Sequence, residues 1–210
     1  MSRLITFGCS VTYGHGLSDC LEELNRPGPE PSKQAWPNLL ATRLNKKLIN
    51  TSTPGASNLE ILFHILNFPF DPDDLIVILW TYPSRDMIFS VPTKEYRFPY
   101  IPLGVWHDSN LAKSWLATHT DHDLIIRSWL SINHGELYLN NNNLRNNSFF
   151  VDIHQLYDRP PEYLKFTNIN LTPLTNILAS DLAIDTSHPG PIAHRNLCEF
   201  MSGIVSSSSS

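Results

Sequence analysis

The chain is expected to form an α/β fold, a three-layer α/β/α sandwich around a central, mostly parallel sheet. Strand-like apolar runs alternate with segments whose apolar residues recur at helical spacing, the pattern of a sheet covered by helices. At 210 residues, 41% hydrophobic and 17% charged, the chain is ample for one globular core. There is no internal repeat.

In chain order, the first strand covers residues 4–7, Leu4-Ile5-Thr6-Phe7, and breaks into Gly8-Cys9-Ser10-Val11-Thr12-Tyr13-Gly14, read as a tight turn and a helix start. A helix follows over 35–45, with Pro37 in its first turn where proline is tolerated. A short strand over 48–50 leads into the polar, turn-rich stretch 50–58, then a helix over 58–66 and the apolar strand 75–79. Residues 87–106 hold Phe89, Tyr96, Phe98, Tyr100 and Trp106 with prolines at 92, 99 and 102, too much proline for a helix. They read as a long ordered loop, an insertion at about 87–108, its rings serving either to bind a substrate or to pin the loop to the body. A helix over 111–132, a polar asparagine-rich surface loop over 140–147, a strand over 149–153 and a helix over 192–201 complete a single domain of residues 1–205. The serine tail 206–210 has nothing to bury and is expected to be disordered or held by a partner.

Two segments at opposite ends carry chemistry. A serine at the carboxyl end of a strand is lifted toward the crevice where open α/β sheets bind ligands, and Gly8 lets the backbone turn sharply there. Near the other end stands Asp185-Thr186-Ser187-His188-Pro189. Pro189 holds His188 out of the α region, and Pro191 suits the first turn of the following helix. A serine hydroxyl is a poor nucleophile at neutral pH; it needs an imidazole to take its proton and a carboxylate to orient that imidazole. Ser10, His188 and Asp185 supply the three, provided 185–188 forms a single turn. Cys9 points away from the side that Ser10 faces and suits a buried, small-hydrophobe position. His15 falls at the rim of the cleft or on the surface.

Backbone donors at a helix entrance are pre-oriented for an oxyanion. The N–H of Ser10 is one candidate, and Gly55, within the stretch between the second strand and its helix, is the other. After the strand 75–79 the chain reads Trp80-Thr81-Tyr82-Pro83-Ser84-Arg85-Asp86. There Thr81 or Tyr82 donates a hydroxyl hydrogen bond, or Trp80 and Tyr82 wall a substrate pocket. Asn58 joins Trp80 and Tyr82 as a candidate substrate contact.

The order and spacing of these blocks resemble the SGNH/GDSL hydrolase family, whose pattern is a Gly-Asp-Ser-like block, a central glycine, an asparagine block and a terminal Asp-x-x-His. The resemblance spans nearly the whole chain and implies an SGNH/flavodoxin-like fold. It makes Ser10 the nucleophile and first oxyanion donor, Gly55 the second donor, His188 the base and Asp185 its partner. The chain departs from the pattern at Cys9, where the family has aspartate, and in the third block, where Gly-x-Asn-Asp is replaced; it is similar there to a subgroup reading Phe-Gly-Cys-Ser and Trp-Thr. The resemblance implies a serine hydrolase of carboxylic esters working through an acyl-enzyme, with O-acetyl groups on carbohydrate as the first substrate expectation. The altered third block also fits an SGNH-like binding or structural module, such as a virus-particle component, and an acyltransferase would use the same triad.

The formal charge of −5 and the lack of a Lys/Arg run argue against a nucleic-acid surface. No apolar stretch approaches the roughly 20 residues of a spanning helix. Three cysteines and no secretory signal point to synthesis in a cytoplasm, which does not bar a place in a virus particle. His119-Thr120-Asp121-His122-Asp123 gathers ligand-type residues on what reads as one helix, but no further ligand is assignable, so no metal and no cofactor are expected.

Overall fold

The computed structural model describes residues 2–23, 26–89, 100–104, 109–150, 169–170 and 172–207. Its central sheet contains β1 (Arg3–Phe7), β4 (Lys47–Asn50), β5 (Leu75–Trp80) and β8 (Arg145–Phe150), all parallel, in the order β4-β1-β5-β8. Every residue of β5 is buried, because a parallel strand covered on both faces meets no water and reads as a continuous apolar run. Leu4 and Ile5 of β1 lie beside Leu48 and Ile49 on one edge and Leu75 and Ile76 on the other. Two small antiparallel ladders stand apart from this sheet: β2 (Leu21–Glu23) with β3 (Arg26–Pro27), and β6 (Arg85–Phe89) with β7 (Tyr100–Gly104).

Helices cover the sheet. The first is the single turn α1 (Ser10–Tyr13); α2 (Trp36–Arg43) packs on α7 (Pro191–Ser207), and α3 (Asn58–Asn67) packs on α5 (Asp121–Asn141). Two further helices, α4 (Asn110–Thr118) and α6 (Thr175–Leu178), complete the set among the described residues. The observed architecture is the expected α/β class. No helix among the described residues is long and apolar enough to cross a membrane.

An inter-helix hydrogen bond fixes the α2–α7 pair. The residue before α2, Ala35, offers no side-chain cap, so the amide of Trp36 needs a partner from elsewhere. The buried Nδ1 of His194, on α7, accepts that N–H at 3.2 Å. Burial pushes the His194 pKa down to about 4, with the nearby His188 charge acting in the same sense and Asp181 opposing. His194 is therefore neutral at pH 7, the form in which Nδ1 can accept.

Four expectations need correction. The helix expected over 111–132 is two helices: α4 ends at Thr118, His119 is extended, and Thr120 caps α5 by accepting from the Asp123 N–H at 3.2 Å. His119 and His122 are thus on different elements. In addition, α5 runs on to Asn141 through Gly135, where an added Cβ would stand 3.1 Å from the Trp80 ring, so this glycine gives Trp80 its space. The segment 140–147 is a surface turn only at residues 142–143; its ends belong to α5 and β8. Asn143 closes α5 in the left-handed region (φ 55°), and Asn146, Asn147 and Ser148 are buried members of β8, paired with β5 from Leu75 to Trp80. That pairing overrides the poor strand propensity of asparagine; the expected strand residues 151–153 lie outside the described residues.

The expected loop at 87–106 is in part the β6–β7 ladder, while Tyr96, Phe98 and Trp106 lie outside the described residues. Tyr100 is buried and its hydroxyl donates to Glu60 Oε1 at 3.1 Å, while Phe63 on α3 meets the rings of Phe89 and Tyr100 at 5.8 and 5.7 Å. These described rings pin the ladder to α3. Ser206 and Ser207, expected in a disordered tail, continue α7.

Candidate active site

The first wall of the site is the turn between β1 and α1. A Cβ on Gly8 would overlap the Thr12 side chain and come 3.1 Å from the Leu79 carbonyl, so only glycine lets α1 fold back over the ends of β1 and β5. Cys9 is extended and fully buried; Ser10 opens α1, where the first amides have no intrahelical acceptor. Ser10 Oγ lies 4.0 Å from Cys9 Sγ, and among the described residues no hydrogen bond joins it to His188. Hydrogen bonds of this kind are often long in unliganded sites and tighten when substrate arrives.

The second wall is the loop before α7, built from both ends. Asp181 caps α7: its carboxylate accepts the N–H groups of Ile192 at 3.0 Å and Ala193 at 2.6 Å, and its carbonyl accepts from Gly190 at 3.0 Å. Leu182 and Pro189 bridge, and the Ala183 N–H donates to the His188 carbonyl at 2.8 Å, closing the loop on itself. Within it Thr186 takes a left-handed conformation (φ 59°), rare for a β-branched residue, which brings the chain round from Asp185 to His188.

That turn places the Asp185 carboxylate under the imidazole. Oδ1 accepts the N–H groups of Ser187 and His188, both at 3.1 Å, and Oδ2 lies 2.6 Å from His188 Nδ1. The Asp185 side chain is buried and that of His188 is 22% exposed. Burial pushes the Asp185 pKa up, but the imidazole hydrogen bond, the two backbone donors and the His188 charge outweigh it and hold the carboxyl below the ordinary range. An imidazole fixed at Nδ1 by a carboxylate keeps Nε2 for taking and giving a proton.

Both walls line one pocket of about 310 Å³, which Ser10 and His188 share with Val11, Tyr82, Arg85 and Leu182 among others. Asp185 stands behind His188. Gly55 does not line this pocket; it sits in the β4–α3 loop at φ 83°, its N–H without a protein acceptor among the described residues, and the loop is tied to the Ser10 turn by Thr53 N–H donating to the Gly8 carbonyl at 3.3 Å.

Three expected contacts are placed elsewhere. Trp80 is fully buried in the core against Gly135, so it does not wall the pocket. Asn58 is buried at the start of α3, where its amide accepts from Thr81 N–H at 2.8 Å and donates to the Thr81 carbonyl at 3.0 Å; it is a clamp on the end of β5 and not a substrate contact. Thr81 does not line the pocket either, and its hydroxyl accepts from Arg85 at 3.0 Å. Tyr82 does line it, with the Arg85 guanidinium 5.2 Å above its ring. Arg85 was not foreseen from the sequence, although its place five residues after the last apolar position of β5, on the same edge as the Ser10 turn, is a signal for it.

His15 completes the surroundings. Its ring lies on that of His188, with centroids 4.4 Å apart and planes 33° from parallel. Ligand-type atoms of His15, Asp185 and His188 fall within 4.8 Å of one another. The Asp185 carboxylate already accepts three hydrogen bonds, so this trio is a hydrogen-bonded pair with a ring stacked on it, and the geometry does not describe a metal cage.

No family model matches the sequence, and no curated protein matches it. Solved structures do match in fold. A putative lipolytic protein of the G-D-S-L family from Desulfitobacterium hafniense DCB-2 is 9% identical with a TM-score of 0.51, over 96% of this chain and 98% of its own. A carbohydrate esterase, described as displaying divergent catalytic and non-catalytic binding functions at its active site, is 14% identical with a TM-score of 0.54, over 97% of this chain and 68% of its own. An acetyl xylan esterase from the rumen bacterium Butyrivibrio proteoclasticus is 12% identical with a TM-score of 0.60, over 98% of this chain and 64% of its own. With its parallel β4-β1-β5-β8 sheet flanked by helices, the chain has an SGNH/GDSL-like α/β fold.

Proposed function

We propose that the protein is a serine hydrolase of carboxylic esters, with Ser10 as nucleophile, His188 as base and Asp185 as the residue that orients it. The observation that carries this reading is the 2.6 Å contact between Asp185 Oδ2 and His188 Nδ1 in a loop that lines the same pocket as Ser10. In the proposed first step Ser10 Oγ bonds to the ester carbonyl carbon while its proton passes to His188 Nε2, and the N–H of Ser10 holds the oxyanion, Gly55 standing outside the pocket. The carbon–oxygen bond to the leaving group then breaks, and His188 returns the proton to the departing alcohol. Water repeats the sequence on the acyl-serine and releases the acid. An O-acetyl group on carbohydrate is the substrate class we favour, in keeping with the esterase neighbours and the small pocket.

Turnover of p-nitrophenyl acetate, and acetate release from an acetylated polysaccharide, test this in the unmodified protein beside Ser10→Ala and His188→Ala. Loss of turnover in both variants is expected; a rate unchanged by Ser10→Ala removes Ser10 from the mechanism. A second reading, a module that binds esters or glycans without cleaving them, is favoured by one observation: Thr81, where the family's asparagine block stands, is buried outside the pocket with its backbone tied to Asn58. Saturable binding of an acetylated glycan with no acetate release would support that second reading.

A further inference from the structure

His15 has no part in the acyl-transfer steps above, yet its ring is the one that lies on His188. The chain delivers it on an unusual turn. Gly14 and Gly16 on either side both have positive φ, 81° and 91°, a region that other residues rarely enter. The Gly16 carbonyl accepts the Ile184 N–H at 3.1 Å, which ties this turn to the base loop, and a Cβ at Gly16 would come 2.8 Å from the Asp185 carboxylate. The two loops therefore fit each other closely only with glycine at this position. The Nε2 atom of His15 is buried with no hydrogen-bond partner among the described residues, so its place is not explained by a polar contact of that atom with them. Burial, and then the charge of His188, lower its pKa against a smaller opposing effect of Asp185, so the ring on His188 is neutral at pH 7.

A hydrogen bond from Nδ1 to Asp185 fixes one atom of the His188 ring. With the Cβ tether this sets the mean plane of the ring, but a single hydrogen bond is a soft restraint, and a small coupled rotation about χ1 and χ2 that bends it still swings Nε2, the ring atom far from both anchors, away from Ser10. A flat group packed on one face removes that rotation at little cost, since it needs only van der Waals contact. We propose that His15 is a positioning residue that holds the plane of the His188 imidazole, so that Nε2 stays directed into the pocket shared with Ser10. The inference rests on the reading of His188 as the base. It requires a flat ring at position 15 and does not require a titrating one.

The test compares His15→Ala with His15→Phe, which keeps a flat ring and discards both nitrogens. A misplaced base slows the chemical step without altering substrate affinity, so His15→Ala is expected to lower kcat about tenfold with KM unchanged, and His15→Phe to restore kcat to within about twofold. In a His188→Ala background, His15→Ala should cause no additional loss, because its effect passes through His188. A second readout is independent of turnover: the Nδ1–H proton of His188, observed by NMR in protein labelled with 15N-histidine and assigned by its disappearance in His188→Ala. It should be sharp in the unmodified protein and in His15→Phe, and broadened by exchange with water in His15→Ala. An unchanged resonance in His15→Ala, or loss of activity in His15→Phe equal to that in His15→Ala, overturns the proposal. Should the unmodified protein show no turnover, the base assignment fails, while the resonance still decides whether His15 holds the ring.

Discussion

Acidification should destabilise this protein through His194. At pH 7 the imidazole is neutral in both the folded and the unfolded chain. Below about 6.5 the unfolded chain takes up a proton that the folded protein refuses until about pH 4, because the ring is buried and its Nδ1 already accepts the Trp36 N–H. Stability is therefore lost as pH falls through this window, at up to about 1.4 kcal/mol per pH unit and about 3 kcal/mol in all. Against a total of about 5–15 kcal/mol for a typical domain, this is a large fraction. The comparison to make is with His194→Asn, whose side-chain oxygen can accept the same N–H but does not titrate. Asp185 and Asp74, held below the ordinary carboxylate range, and Asp86, pushed up by burial, titrate in both proteins and cancel in the difference. Urea unfolding from pH 7.5 to 4.5 should show the unmodified protein losing stability relative to His194→Asn by about 2–3 kcal/mol. Parallel stability curves across that range would refute the claim that His194 is buried and neutral.

Other variants probe separate parts of the structure. Asn58→Ala should destabilise by about 2–3 kcal/mol in urea unfolding, since it strands the buried N–H and C=O of Thr81; a loss of substrate affinity without a loss of stability would restore Asn58 as a substrate contact. Gly16→Ala should lower kcat at least tenfold, because its Cβ displaces the Asp185 carboxylate and a left-handed φ adds strain; normal kinetics would mean that Asp185 does not orient the base. Asp185→Asn should lower kcat by about 10³–10⁴ with the fold intact, checked by circular dichroism and ester turnover together. Tyr82→Phe separates its two expected functions: a fall in kcat at constant KM marks an oxyanion donor, and a change in KM alone marks a pocket wall.

What was legible in the sequence was local or strongly apolar. The strand β5 announces itself as an unbroken apolar run buried throughout, β1 and β4 each carry an apolar pair that marks them, and the nearness of Asp185 and His188 follows from their lying three positions apart in one turn. What was illegible depends on partners distant in the chain. The polar segment Asn146-Asn147-Ser148 looks like surface until β5 is beside it, and Trp80 looks like a pocket wall until Gly135, 55 residues on, is seen to admit it to the core. The break at His119 was a local signal passed over, since Thr120 followed by Asp123 is an ordinary helix start. Arg85 reaches the pocket because a ladder folds back there, and its place just past the end of β5 is the one local signal for it.

The central claim is that Ser10 is an activated nucleophile served by His188. Intact-mass measurement after exposure to a fluorophosphonate tests it most directly, since the reagent reports such a serine without the natural substrate. One stoichiometric adduct on the unmodified protein, absent in Ser10→Ala and in His188→Ala, is the predicted result. A folded protein that takes no adduct, or one whose adduct persists in Ser10→Ala, would contradict the account.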